Sequence, residues 1–264
     1  MHKPLRIAAI AATCAVAGAA LYGTGVATAD QSTANSTKEP HNIGLLVGEI
    51  DTYYGTTLDS NGVYQASSTS PYAKDLARID SDAKKYINKV ADRAGHKGEK
   101  LAVVFDIDDT LLLSLDYEKK TNYTYNSATW ADYVAKADRP AVFGTPELVA
   151  YAESKGVEVF YNSGLKESQR AAAVANLKKV GVDINLDADH MFLKNAANPP
   201  SYLSSCATAA AWTCTTVQYK SGTRKHIESL GYDVVANFGD QYSDLEGGYA
   251  DKTYKLPNPT YYVS

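Results

Sequence analysis

The residues best suited to chemistry in this chain are the carboxylates Asp106 and Asp108, which follow an apolar run at residues 101–105. The β-branched and aromatic composition of that run predicts a buried strand, so Asp106 is expected at its carboxyl end. Ligands of open parallel sheets bind at that end. Clustered carboxylates there are costly unless a cation or a proton separates them, which indicates a metal-assisted site where one carboxylate attacks and another moves protons. The alternative is a strand that runs into an acidic, solvated turn.

Groups suited to phosphate binding occur at two further points. The apolar run at 157–162 is a predicted strand and leads into Ser163 and Gly164. Lys220 precedes a helix predicted to begin at Ser221. An ammonium beside a helix N-terminus suits a phosphate oxyanion.

Two more acids, Asp240 and Asp244, follow the predicted strand at 233–239. Each group alone has a simpler explanation: Ser163 as a helix cap, Lys220 as a surface cation and Asp240 as an N-cap. Their occurrence in this order, each beside a predicted strand or helix end, favours one shared site.

Alternating strands and helices must position these groups. The predicted strands are residues 101–105, 157–162, 190–194 and 233–239. The predicted helices are residues 42–54, 71–94, 130–136, 145–155, 167–180 and 221–230. Thr145 is the expected N-cap of its helix, and residues 114–129 are expected to be irregular. This alternation predicts right-handed βαβ units in an α/β fold, a Rossmann-like three-layer α/β/α sandwich with a central parallel sheet.

Residues 1–29 have the composition of a secretory signal peptide. Two basic residues precede an apolar, alanine-rich run, and small residues precede a cleavage point after Ala29. We therefore expect secretion, followed by a disordered polar leader at 30–41. A membrane anchor is the alternative, and Gly23 and Gly25 disfavour it because they break helices.

The charge of the mature chain argues against two classes of partner. Cleavage leaves 24 basic and 30 acidic side chains, a net charge of −6. A mildly acidic chain without basic runs is not expected to bind nucleic acid or anionic membranes. The sequence makes no prediction about the oligomeric state.

Two cysteines, Cys206 and Cys214, remain after cleavage. An even pair in an exported, oxidising setting predicts one disulfide. Two free thiols are the alternative.

Four motifs in this order resemble those of the haloacid dehalogenase-like superfamily: DIDDTLL from Asp106, a strand ending in Ser163 and Gly164, Lys220, and GDQYSDL from Gly239. More narrowly, the segments FDIDDTLL, YKSGTRKHIESLGYDVVANFGDQYSDL and KLPNPTYY are similar to secreted acid phosphatases related to bacterial class B and C enzymes and to plant vegetative storage proteins. The resemblance covers residues 42–264. It implies a single α/β/α domain with additional N-terminal helices.

The resemblance also implies a role for each group. Asp106 would be the nucleophile that forms an aspartyl-phosphate. Asp108 would protonate the leaving alcohol and then deprotonate the water. Ser163, Gly164 and Lys220 would hold the phosphoryl oxygens. The expected Mg²⁺ ligands are Asp106, the backbone carbonyl of Asp108, Asp240 and, directly or through water, Asp244.

The chain departs from the family pattern at two positions. Leu165 stands where many relatives carry arginine, so one phosphate-side cation is missing or is supplied from elsewhere. Asn162 is polar where an apolar residue is common. The intervals between the motifs leave room for only a small cap or none, which predicts an open site that accepts varied phosphomonoesters.

The leading hypothesis is a secreted, Mg²⁺-dependent acid phosphatase that hydrolyses small phosphomonoesters. A phosphotransferase would use the same groups and pass the phosphoryl group to an alcohol. The alternative from another class is a non-catalytic storage or binding protein on the same fold. The presence of Asp106 argues against that alternative.

Overall fold

The computed structural model of the protein describes residues 40–95 and 98–264, and Asn42–Ser264 form one compact unit. The expected signal peptide at 1–29, and the leader up to residue 39, lie outside the described residues. Among the helices of the described part, none is long and apolar enough to cross a membrane.

Helices and strands alternate along the unit. The helices are α1 (Ile43–Tyr54), α2 (Pro71–Ala94), α3 (Leu115–Lys120), α4 (Ser127–Ala135), α5 (Thr145–Ser154), α6 (Arg170–Lys179), α7 (Thr216–Ser229) and α8 (Tyr242–Leu245). The strands are β1 (Thr57–Leu58), β2 (Tyr64–Gln65), β3 (Lys100–Phe105), β4 (Glu158–Lys166), β5 (Met191–Lys194), β6 (Tyr232–Gly239) and β7 (Lys252–Lys255).

The central sheet has five strands in the order β5-β4-β3-β6-β7, and every neighbouring pair is parallel. β1 and β2 form a separate two-stranded antiparallel hairpin. Because all five strands run the same way, their carboxyl ends share one edge of the sheet.

Helices cover both faces of this sheet, as the alternation of side chains along β3 requires. Val103 and Phe105 belong to the larger core, which also contains apolar side chains of α1, α2, α5 and α6. Ala102 and Val104 belong to a smaller core with Ile227 of α7. The predicted three-layer α/β/α sandwich with a parallel sheet is confirmed.

Two local predictions differ from the structure. Residues 114–129 were expected to be irregular, yet they contain α3 and the start of α4. α3 is short and has acids in its first turn and lysines in its last, so charges that complement the helix dipole mark it instead of an apolar stripe. Thr145 is not an N-cap, because Gly144 occupies that position and the Thr145 hydroxyl donates to the carbonyl of Val142.

The strands and helices around the site also extend further than predicted. β4 continues through Ser163 to Lys166 instead of ending at residue 162. α7 begins at Thr216, five residues before the predicted Ser221. A capping box between Thr215 and Gln218 explains the early start, because both side chains satisfy free amides of the first turn. β7 has no predicted counterpart.

Candidate active site

The strands place the first and fourth motifs side by side at the carboxyl edge of the sheet. Phe105 pairs in register with Phe238, and the two rings stack with centroids 4.5 Å apart. The amide of Asp106 donates to the carbonyl of Phe238 at 2.9 Å. Asp106 and Asp240 therefore leave adjacent strands at almost the same level.

Three carboxylates meet at this edge. Asp106, Asp240 and Asp244 are buried, and each offers an oxygen within 4.8 Å of the other two. Oxygen donors of this kind are the ligands that Mg²⁺ prefers, so the cluster fits the cation that the sequence predicts. The Asp108 carboxylate lies outside this group and pairs with Arg139, at 2.5 Å from Nη1.

Lys220 bridges two of these carboxylates. Its ammonium lies 2.5 Å from Asp106 and 2.9 Å from Asp244, and it also donates to the carbonyl of Asn162. The side-chain amide of Asn162 in turn donates to the carbonyl of Lys220 at 2.9 Å. The polar residue at position 162 therefore fixes the backbone that carries the lysine.

The helical context of Lys220 corrects the sequence prediction. Lys220 lies in the second turn of α7 and not beside the N-terminus of a helix beginning at Ser221. A helix dipole acts mainly within the first turn, so the side-chain contacts of Lys220 are what hold it in the site.

Ser163 and Gly164 lie within β4, next to β3. Ser163 is fully buried, and its hydroxyl accepts a hydrogen bond from the amide of Leu165 at 3.1 Å. Gly164 is exposed. Among the described residues, no side-chain hydrogen bond or ion pair joins either of them to Asp106, so the structure brings Lys220 directly to the acid and leaves Ser163 one strand away.

The loop that carries Asp244 is held by groups that the sequence analysis missed. The guanidinium of Arg224, which is fully buried, donates to the carbonyls of Asp244, Glu246 and Gly248. Gly239 allows the loop to approach, since a Cβ there would lie 2.5 Å from the Cβ of Asp244. Arg224 follows Lys220 by four residues on α7, so both side chains lie on the same face of the helix. That spacing could have indicated that Arg224 lies near the site.

Asp240 is bound by the C-terminal segment. Its carboxylate accepts from Gln241 Nε2 and Asn258 Nδ2, each at 2.7 Å. Gln241 also pairs with Val263 through its Oε1 and the Val263 amide at 3.1 Å. The KLPNPTYY segment, to which the sequence analysis gave no role, thus forms one wall of the acidic cluster.

The charges of the cluster are unbalanced without a cation. Burial, with smaller contributions from Asp244 and Asp109, raises the pKa of Asp240 to about 7. Burial likewise raises the pKa of Asp106, against the lowering effect of Lys220. Burial lowers the pKa of Lys220, but Asp106 and Asp244 outweigh it and the net shift is upward. One ammonium among three buried carboxylates therefore leaves the site with an affinity for protons or for a divalent cation.

The site is more enclosed than the absence of a large cap predicts. Asp106 is 6% exposed and Lys220 is 2% exposed, whereas 17% of the Asp108 side chain reaches the surface. Asp109 adopts a φ of 53°, and its carboxylate accepts from the amide of Ser114 at 2.8 Å. Asp108 is therefore more exposed than Asp106 and Lys220.

The parallel sheet, with an acidic cluster and a buried lysine at the carboxyl ends of its strands, agrees with the haloacid dehalogenase-like class that the motifs resemble. The chain matches the family described as HAD superfamily, subfamily IIIB (Acid phosphatase), over residues 47–264, and it belongs to that family.

The proteins with sequences similar to this chain include plant proteins. The Stem 28 kDa glycoprotein of Glycine max is 33% identical over 165 residues, which cover 61% of this chain and 59% of that protein. Acid phosphatase 1 of Solanum lycopersicum is 29% identical over 196 residues, which cover 73% of this chain and 69% of that protein. The matches to the stem glycoproteins thus span between half and three fifths of those relatives' length.

Among solved structures, the class C acid phosphatase from Bacillus anthracis is similar to this chain. It is 25% identical with a TM-score of 0.52, over 70% of this chain and 78% of that one.

Proposed function

We propose that the protein is a secreted, Mg²⁺-dependent acid phosphatase that hydrolyses small phosphomonoesters through a phosphorylated Asp106. The observation that carries the proposal is the contact of the buried Asp106 carboxylate with Lys220 at 2.5 Å, beside Asp240 and Asp244. This arrangement combines a nucleophile with the positive charge that a phosphate dianion needs in order to approach it.

In the first half of the reaction, an Asp106 oxygen attacks phosphorus and the bond to the ester oxygen breaks. The leaving alcohol takes a proton from Asp108, the acid on the more exposed side of the site. Lys220 binds an oxygen of the phosphoryl group, whose charge develops as the bond to Asp106 forms.

In the second half, a water molecule gives a proton to Asp108 and attacks the phosphorus of phospho-Asp106. The bond between phosphorus and Asp106 breaks, inorganic phosphate leaves, and both carboxyl groups return to their starting states. Asp106 therefore ends each cycle ionised, and Asp108 ends it protonated.

The metal would be held by Asp106 and Asp240, by the backbone carbonyl of Asp108, and by Asp244 directly or through water. Mg²⁺ bound there supplies positive charge that offsets the repulsion between the carboxylates and the phosphate dianion. The shortage of positive charge around the three buried carboxylates supports this assignment.

The purified protein tests the proposal in assays with 4-nitrophenyl phosphate and a panel of alkyl and sugar phosphates, at acid and neutral pH. We expect turnover with Mg²⁺, none in excess chelator, and recovery when Mg²⁺ is returned. Asp106→Asn should lower kcat by about 10⁴-fold or more while the melting temperature stays close to that of the wild type.

Three outcomes would contradict parts of the proposal. Full activity in excess chelator would exclude the metal. Activity in Asp106→Asn would exclude the covalent intermediate. Absence of hydrolysis across the whole panel, in a protein that still binds Mg²⁺ and inorganic phosphate, would favour a storage or binding function on the same fold.

A further inference from the structure

Arg139 is a buried cation that the mechanism above leaves without a role. It lies in the segment between α4 and α5 and is 2% exposed. Its Nη1 donates to the Asp108 carboxylate at 2.5 Å, so it touches the group proposed to exchange protons with the leaving alcohol. A buried arginine of this kind is costly to maintain unless its donors are satisfied.

The position of Arg139 is fixed from three sides. The side chain of Asn176 on α6 binds both backbone polar groups of Arg139, with its Oδ1 3.0 Å from the amide nitrogen and its Nδ2 2.8 Å from the carbonyl oxygen. The indole of Trp130 lies 5.4 Å from the centre of the guanidinium. The third contact is the ion pair with Asp108. Together these contacts hold the guanidinium rigidly.

Two of the three guanidinium nitrogens of Arg139 have no partner in the part of the chain that the structure describes. Nε and Nη2 of Arg139 are buried and form no hydrogen bond with any described residue. These two nitrogens share one edge of the planar group, and that edge binds two oxygens of a carboxylate or phosphate at once. Leaving buried charged donors unpaired costs free energy, so the edge is suited to an anion that arrives with the substrate.

The position on β4 directly after Ser163 and Gly164 offers no cation. Leu165 is apolar and 2% exposed within the larger core. It therefore contributes no charge to the phosphate. Arg139 is a buried cation that contacts Asp108, the proposed acid and base. It is separate from Lys220, which contacts Asp106.

We propose that Arg139 is a substrate-binding residue for the transferred phosphoryl group. Its Nε and Nη2 donate to two oxygens of the substrate phosphoryl group, while Nη1 continues to hold Asp108. The inference rests on the proposed function, because it assigns a ligand to the same site. The competing explanation is that Arg139 only orients Asp108 and never contacts the substrate.

Binding of inorganic phosphate, measured by calorimetry with Mg²⁺ present, tests the contact without turnover. Arg139→Lys keeps the charge but loses the two-nitrogen edge, and Arg139→Gln loses the charge. We expect phosphate to bind about 10- to 100-fold more weakly to Arg139→Lys, and at least as weakly to Arg139→Gln. Arg78→Lys is the matched control, because Arg78 is exposed and pairs with Asp75; it should bind phosphate like the wild type.

A leaving-group series separates contact from orientation. If Arg139 binds the phosphoryl group, Arg139→Lys should lower kcat/KM by a similar factor for 4-nitrophenyl phosphate and for an alkyl phosphate. If Arg139 only orients Asp108, the loss should be confined to the alkyl ester, whose leaving group needs the proton.

The inference is overturned if Arg139→Lys binds phosphate within about twofold of the wild type. It is also overturned if the wild type binds no phosphate, or if the loss of kcat/KM is confined to the alkyl ester. A wild-type protein that binds phosphate and hydrolyses no ester would contradict the proposed function alone. In that case the calorimetric comparison of the variants still decides the role of Arg139.

Discussion

Lys220 and Arg139 are both buried cations paired with an aspartate, but their surroundings differ. The ammonium of Lys220 has three donors and uses all of them, on Asp106, Asp244 and a backbone carbonyl. Arg139 uses Nη1 on Asp108 and keeps Nε and Nη2 without a partner among the described residues. All donors of Lys220 are therefore used within the site, whereas Arg139 has two donors that can bind a further group.

This difference follows from where each cation originates. Lys220 lies on α7, which is part of the framework of strands and helices. In open parallel sheets, ligands bind at the carboxyl ends of the strands of that framework. Arg139 belongs to the segment between α4 and α5, here called the covering segment, and it contacts Asp108 just after the end of β3. In the proposed function the framework supplies the catalytic groups, and the covering segment supplies a further cation for the substrate.

The largest expected effect comes from removing a carboxylate on the Lys220 side. Asp240→Ala should raise the Mg²⁺ concentration needed for half-maximal activity by about 100-fold, because a buried ligand is lost. Asp187→Ala is the control, since Asp187 is an exposed acid that binds His190. A normal Mg²⁺ dependence in Asp240→Ala would show that the acidic cluster is not the metal site.

Asn162 tests whether the precision of the Lys220 side depends on its backbone contacts. Asn162→Leu removes the donor to the carbonyl of Lys220. We expect kcat/KM to fall about tenfold, because a buried carbonyl is left unpaired and the lysine shifts. The control is Asn88→Leu on α2, where Asn88 is half-buried and donates to Asp92, and it should have no effect. Wild-type kinetics in Asn162→Leu would mean that α7 alone positions the lysine.

The disulfide offers a milder test of the same side. Cys206 and Cys214 are bonded, and the loop they enclose places Trp212 against Tyr219, with centroids 5.6 Å apart, next to Lys220. Replacing both cysteines with serine should lower kcat/KM severalfold.

The short loop limits the cost in free energy of unfolding to about 2–3 kcal/mol, or a decrease in melting temperature of no more than about 10 °C. Kinetics measured well below the melting temperature decide the question. Unchanged kinetics would mean that the bond only closes a surface loop.

The smallest expected effect, on stability alone, concerns α3. Burial, with a smaller contribution from Asp109, raises the pKa of Glu118 on α3 to about 8. Since the unfolded chain ionises this group near pH 4.3, the folded state binds an extra proton between these values and loses stability as pH rises.

Glu118→Gln should therefore raise the free energy of unfolding by about 1–3 kcal/mol at pH 8 and change it little at pH 4. Urea titrations of both proteins across that range provide the measurement. A constant difference between them at all pH values would contradict the buried, protonated state of Glu118.

The sequence was sufficient to predict the strands of the framework and the acids that follow them. Runs of β-branched and aromatic residues end directly before Asp106 and Asp240, and parallel strands bring such ends together. The confirmed sheet therefore accounts for the acidic cluster. The start of α7 was wrong by five residues, although the spacing of Thr215 and Gln218 carried the signal of a capping box.

The covering segment could not be predicted in the same way. Arg139 lies in a loop whose path depends on Asn176, which is 37 residues further along the chain. No periodic pattern encodes such a contact, because it forms only when α6 packs against the sheet. The contribution of Asn258 to Asp240 is similarly distant, at 18 residues.

The central claim is that Asp106 carries the phosphoryl group. Asp108→Asn, rapidly quenched with acid during turnover of 4-nitrophenyl phosphate, tests it most directly, because this leaving group needs little help from an acid and the missing base slows hydrolysis of the intermediate. Peptide mass spectrometry should find one phosphate on Asp106, and none when Asp106→Asn is added to the same protein. Turnover without any phosphorylated Asp106, or a phosphate on another residue, would contradict the account.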